Sequence, residues 1–158
     1  NHFNADLIVR INSDCPLIDS FEVDAVIKKM IDRPNVDYVS NILEESFPVG
    51  MHIEVFSKNA LEKAFLEAKE PDEKEHVTPY IYRNSHKFNI LSVVNTIDLS
   101  HHRWTVDYQE DLVFVQKVVS LLSHTMNRFK MMDVVELVEN TPDLQIINHM
   151  YKKKQNLL

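Results

Sequence analysis

The segment "LIVRINSD" (residues 7–14) runs from an apolar, β-branched stretch into an aspartate, and "RWTVD" (residues 103–107) ends the same way at Asp107. Acids at the ends of two strands suit one kind of chemistry. Two carboxylates delivered to the same sheet edge can share a divalent cation. Magnesium prefers oxygen ligands and is commonly held by one or two carboxylates together with substrate phosphates. There it neutralises phosphate charge and aligns a nucleophile for in-line attack. The competing role for either aspartate is to cap the element that follows; for Asp107, directly before "YQEDLVFV", capping is a serious rival.

Three other groupings invite a chemical reading. "EKEHVTPYIYR" gathers Glu75, His76 and Thr78 with Arg83. Such a set suits a sugar hydroxyl or a carboxylate, and Arg83 suits a carboxylate or phosphate; the plainer alternative is an exposed helix with ordinary charge pairs. His101 and His102 adjoin Arg103, but neighbours on an extended strand point to opposite faces and no third ligand stands at zinc spacing, which argues against zinc. Cys15, next to Asp14, reads as a packed thiol rather than a nucleophile.

The elements that must position these residues alternate. After the first strand, expected to be interior, "SFEVDAVIKKMID" has a cap at Ser20 and apolar residues at helical spacing. "VDYVSNIL" reads as a strand. "SFPVGMHIEVFS" reads as a turn and strand, with Met51, Ile53 and Val55 alternating against His52 and Glu54. "SKNALEKAFLEAKE" is a helix with a Ser cap and Ala60, Leu61, Ala64, Phe65 and Ala68 on one face. "PDEKEHVTPYIYRNS" is helical with a break at Pro79. "FNILSVVN" and the short "RWTVD" are strands, "YQEDLVFVQKVVSLLSHTM" is the longest helix, and two shorter helices flank "TPD". Strands alternating with helices predict an α/β fold with a largely parallel sheet, whose ligands gather beyond the carboxyl ends of the strands.

Composition narrows the function classes. At 158 residues the chain suits one domain, and its net charge of -7 argues against nucleic-acid binding, which needs clustered Lys and Arg. The one basic run, Lys152–Lys154, reads as a solvated tail. No stretch is apolar over ~18 residues, as a membrane-spanning helix requires, and "NHFNADL" is not a secretory signal. One cysteine excludes an internal disulfide and suits a reducing cytoplasm. The single glycine, Gly50, leaves no Gly-rich loop to cradle phosphates.

Taken together, "RINSDCPLID", "DYVSNILEESFPVGMHIEVFS", "EKEHVTPYIYR", "DLSHHRWTVDYQEDL" and "INHMYKKKQ" resemble, in order, cytidylyltransferases of the spore-coat polysaccharide biosynthesis type, relatives of the CMP-KDO and CMP-sialic acid synthetases. The resemblance covers nearly the whole chain. It implies a nucleotide-diphospho-sugar transferase-like (Rossmann-like) α/β fold, a mixed sheet flanked by helices. It also implies a single domain over residues 1–158 that begins after the family's first strand, phosphate loop and first helix, as the C-terminal two-thirds of the fold. The implied reaction joins CTP to a sugar or sugar acid, giving a CMP-sugar and pyrophosphate, in a cytoplasmic homodimer paired through "PVGMHIEVF" and the helix after it.

By the same resemblance, Asp14 and Asp107 match the two magnesium-binding aspartates, and Arg10 the arginine that leads into the nucleotide site. Arg103, Glu75, His76 and Thr78 match positions near the sugar. The chain departs from the family at Ser13, which is usually Gly, and at Val49 and His52, which are usually acidic. Two rival readings stay open: a non-catalytic relative acting as a binding or assembly module, and a metal-dependent hydrolase using the same two aspartates.

Overall fold

The structure, a computed structural model, describes residues 5–124 and 128–151; Lys152–Lys154, read above as a tail, lie outside the described residues. The chain divides into two compact units: Asn1–Ile11, Asp24–Glu44 and Ile53–Val94 form the first, and Asn12–Val23, Glu45–His52 and Asn95–Leu158 the second.

The first unit is built on a four-stranded sheet of β1 (Leu7–Arg10), β2 (Tyr38–Ser40), β3 (Glu54–Ser57) and β4 (Ile90–Ser92), in the order β1-β3-β2-β4. β3 runs antiparallel to both neighbours, pairing Arg10 with Glu54 and Tyr38 with Phe56, while β2 and β4 are parallel. The sheet is therefore mixed rather than largely parallel. Among the described residues β1 pairs only with β3, so it is an edge strand with Val9 exposed and not the interior strand its composition predicts.

Helix α1 (Ser20–Ile31) starts one residue earlier than a Ser20 cap predicts, because Asp19 does the capping: its carboxylate accepts from the Phe21 N–H at 2.8 Å. Val26 and Met30 are its buried residues. Helix α2 (Lys58–Glu67) is capped as expected, Ser57 Oγ accepting from Ala60 N at 3.1 Å. Ala60 and Ala64, four apart, form its buried stripe against β3, whereas Phe65 is 83% exposed, off that stripe. The break near Pro79 splits the next helix into α3 (Pro71–His76) and α4 (Pro79–Arg83). The core of this unit is Tyr38, Phe56, Ala60, Ala64, Tyr80, Ile81 and Phe88.

Met51, Ile53 and Val55 are fully buried, as their alternation predicts, but Glu54 is buried too. Its carboxylate is held inside by the Arg10 guanidinium across the strand pair and by the Tyr38 hydroxyl at 2.6 Å, so the polar half of the alternation fails where a buried charge finds partners.

The second unit packs α5 (Gln109–Ser123), α6 (Met131–Glu139) and α7 (Pro142–Ile146) on one another. Phe114, Val118, Val134, Val138 and Leu144 line its interior, and Trp104 is fully buried. "RWTVD" is not a strand; Arg103 makes one isolated parallel bridge with Val49. Residues 100 and 101 form a turn, so the His101 and His102 rings lie together, with centroids 4.1 Å apart, rather than on opposite faces. No helix among the described residues is long and apolar enough to cross a membrane.

Candidate active site

In the second unit, main-chain hydrogen bonds sew three separate segments together. Leu99 N donates to Ser46 O at 2.9 Å, Val49 N to His102 O at 2.9 Å, and Trp104 N to Val49 O at 2.6 Å. The chain can approach this closely because the residue after Val49 is Gly50, with φ of +99°; a Cβ there would sit 2.6 Å from the Trp104 carbonyl carbon and closer still to Thr105 N. Val106 N in turn donates to Asp14 O at 2.9 Å, and Thr105 Oγ1 to the same oxygen at 3.3 Å. The backbones that carry Asp14 and Asp107 are thus fastened to each other one residue short of Asp107.

Asp107 is not the helix cap. The N-terminus of α5 is capped by Asp111, whose Oδ2 accepts from the backbone N–H groups of Asp107 and Tyr108, both at 3.1 Å. Asp107 instead turns its Oδ2 to Arg103 Nη2 at 2.6 Å. Its side chain remains 47% exposed, and no hydrogen bond from a described residue reaches its Oδ1.

Arg103 is buried, with its side chain 3% exposed. Asp111 takes its Nε at 3.0 Å and its Nη2 at 2.7 Å, a bidentate pairing. Asn148 completes the cluster, donating from Nδ2 to Asp111 Oδ1 at 2.8 Å and to Arg103 O at 3.1 Å. Burial opposes the Asp111 charge, but the Arg103 and Asn148 donors outweigh it and hold the carboxyl below its usual range. Burial likewise opposes the Arg103 charge and is outweighed by Asp111 and Asp107, so that guanidinium stays ionised. One guanidinium thus faces two carboxylates, and the surplus negative charge falls on the half-exposed Asp107.

Cys15 stands behind Asp14. Its Sγ donates to Asp14 Oδ1 at 3.4 Å. Burial, that hydrogen bond and the Asp14 charge push the thiol up to about 12, with Asp107 adding a smaller push in the same direction. A thiol so placed stays protonated and is not a nucleophile, as the packing role expects. Two oxygen-donor carboxylates with surplus charge match what magnesium asks of a protein, the remaining ligands being phosphate and water. Among the described residues no three metal-ligating side chains converge.

The first unit holds the other residues singled out from the sequence. Arg10 pairs with buried Glu54, and its side chain is 29% exposed. Tyr82 lies close to this pair; burial raises its hydroxyl, Arg83 opposes the rise and Glu54 adds to it. Arg83 itself pairs with Asp72. Glu75 and His76 are exposed and Thr78 is buried.

The backbone joining these last residues is strained. Val77 has φ of +69° and ψ of -56°, and Thr78 N donates to His76 O at 2.8 Å, a γ-turn of the rare positive-φ kind. A β-branched residue is the least suited to that conformation.

Sequence reasoning placed Asp14, Arg103 and Asp107, which the second unit brings together; it placed Arg10, Glu75, His76 and Thr78 in segments that belong to the first. It missed Asp111 and Asn148. The acid at the third helical position of "YQEDL" was a usable signal for Asp111; Asn148, 45 residues from Arg103, offered none beyond its place in the "INHMY" motif.

Comparison with known proteins shows the family and the fold. The family described as cytidylyltransferase matches residues 1–154. An uncharacterized protein of Methanocaldococcus jannaschii is 31% identical over 157 residues, which cover 96% of this chain and 61% of that protein. The solved structure of a cytidylyltransferase from Leptospira borgpetersenii superposes with a TM-score of 0.85 at 31% identity, over 90% of this chain and 60% of that one. This chain therefore spans about three fifths of the length of the relatives it matches. In its mixed α/β fold and in its sequence, the chain belongs to the cytidylyltransferase family.

Proposed function

We propose that this chain forms part of a CTP-dependent nucleotidyltransferase that joins the CMP moiety to a sugar or sugar acid and releases pyrophosphate, in surface-polysaccharide biosynthesis. The observation that carries the site is Asp107, a half-exposed carboxylate anchored through one oxygen to Arg103, with no hydrogen bond from a described residue to the other, on a backbone fastened to that of Asp14. Asp14 and Asp107 would hold a magnesium ion, which supplies charge neutralisation for the triphosphate.

The acceptor hydroxyl forms the new bond to the α-phosphorus as the bond to the pyrophosphate oxygen breaks. The residues of this chain contribute orientation and fixed charge rather than covalent chemistry. By the family resemblance alone, Arg10 is assigned to the nucleotide, and Glu75, His76 and Thr78 to the acceptor. Arg103, sealed beneath Asp107, acts by holding that carboxylate rather than by touching the acceptor. Pairing of two chains would use exposed apolar residues of α2, where Phe65 and Leu66 are 83% and 80% exposed.

The test is pyrophosphate release by the full natural chain with CTP, magnesium and a panel of sugar acids and neutral sugars. Release that needs an acceptor supports the transferase. Phosphate released from CTP or simple phosphate esters without an acceptor favours the hydrolase. The non-catalytic module is favoured by Val49 and His52, which stand where the family usually has acids. It predicts no turnover under any of these conditions.

A further inference from the structure

We infer that Asp111 and Asn148 are positioning residues for Asp107, acting through Arg103. The inference rests on the reading of Asp107 as a metal-facing carboxylate. Asp111 is fully buried yet accepts from Arg103 Nε and Nη2, Asn148 Nδ2, and the backbone N–H groups of Asp107 and Tyr108. Asn148, 2% exposed, ties Asp111 Oδ1 to the Arg103 carbonyl with one amide group. The guanidinium is covered by the Tyr108 ring, 5.7 Å from its Cζ, and that ring stacks on Tyr151 with centroids 4.0 Å apart. Arg103 therefore has one orientation, and its Nη2 fixes where Asp107 Oδ2 sits.

A cap for α5 would need only the two backbone bonds that Asp111 accepts. Burying a guanidinium and a carboxylate is a weak way to gain stability, since apolar replacements of buried ion pairs are often neutral or stabilising. What the charged cluster adds is direction. It pins one oxygen of a half-exposed carboxylate and leaves the other open, and it keeps a net negative charge at that point. Carboxylates that bind metal are commonly aimed by hydrogen bonds of this sort, and losing such a bond typically costs 10–100-fold in metal affinity.

The probe is Mn2+ alone, its free concentration read by electron paramagnetic resonance in titrations of the full natural chain. Asn148→Ala removes both amide bonds and leaves every charge in place; Asn148→Ser is a milder companion that keeps a small donor. Each is assayed well below its own melting temperature. Tyr151→Phe, which removes only the bond to Glu110 Oε2, is the control. The expected result is Mn2+ binding weakened roughly tenfold by Asn148→Ala and less by Asn148→Ser, and changed less than about twofold by Tyr151→Phe. A folded Asn148→Ala or Asn148→Ser chain that binds Mn2+ as the wild type does overturns the inference. Wild-type binding that is absent, or that survives Asp107→Ala, overturns instead the reading of Asp107 on which it rests.

Discussion

Gly50 is the chain's single glycine, and replacing it tests the seam that brings the two acids together. In Gly50→Ala the new Cβ meets the Trp104 carbonyl carbon at 2.6 Å, Thr105 Cα at 3.0 Å and Thr105 N closer still. All three are backbone atoms, so no side-chain rotation relieves the contact. The φ of +99° adds a cost of about 1 kcal/mol for a residue with a Cβ. Overpacking of this kind costs about 1–3 kcal/mol. The expected loss is therefore about 3 kcal/mol, a large share of the roughly 5–15 kcal/mol by which domains are stable. Urea unfolding measures it as a fall in midpoint with an unchanged slope. Gly50→Asn separates the two terms: Asn tolerates positive φ but carries the same Cβ, so it should lose nearly as much as Ala. An alanine variant within about 0.5 kcal/mol of the wild type, the ordinary range for an unconstrained surface position, would refute the close approach of residues 50 and 104–105.

Val77 should reverse the usual order of stability. Gly is ordinarily less stable than Ala, but at a φ of +69° Val77→Gly should be more stable than Val77→Ala by about 1 kcal/mol, and an Ala variant that is the more stable contradicts the γ-turn. Cys15 is 4% exposed and should resist thiol reagents at pH 8 until the chain unfolds; modification at the unfolded rate counts against its burial. Because burial and Asp14 raise its folded pKa from 9.0 to about 12, the folded state binds the proton more tightly. Its contribution is fully present below about pH 9 and is lost as pH rises toward 12. The stability difference between wild type and Cys15→Ser should stay flat below pH 9 and shift above it in the direction that disfavours the wild type, by at most about 1.4 kcal/mol per pH unit; no shift contradicts the assignment. Tyr38→Phe removes the 2.6 Å bond to buried Glu54 and should cost about 1.5–3 kcal/mol in thermal or urea unfolding, whereas a loss near zero would mean that Arg10 alone satisfies that carboxylate.

The sequence made the order of elements legible because periodicity is local. Alternation marked Met51, Ile53 and Val55, the Ser57 cap marked the start of α2, and Pro79 marked the break before α4. It misjudged what depends on partners far along the chain. Glu54 was expected outward by alternation, but Arg10, 44 residues away in sequence, makes its burial tolerable. Phe65 was expected inward, although the narrow Ala60–Ala64 stripe is what meets the sheet. Of the site, the two aspartates were visible as acids closing apolar runs. The hydrogen bonds around Arg103 were not, since one between Asn148 and Arg103 leaves no mark on the spacing of either.

The most direct test of the account is calorimetric titration of CTP into the full natural chain, with and without magnesium, for the wild type and for the Asp14→Ala, Asp107→Ala double variant. The account predicts binding that requires magnesium in the wild type and is lost in a double variant shown to be folded. Magnesium-dependent CTP binding that persists in the double variant would contradict it.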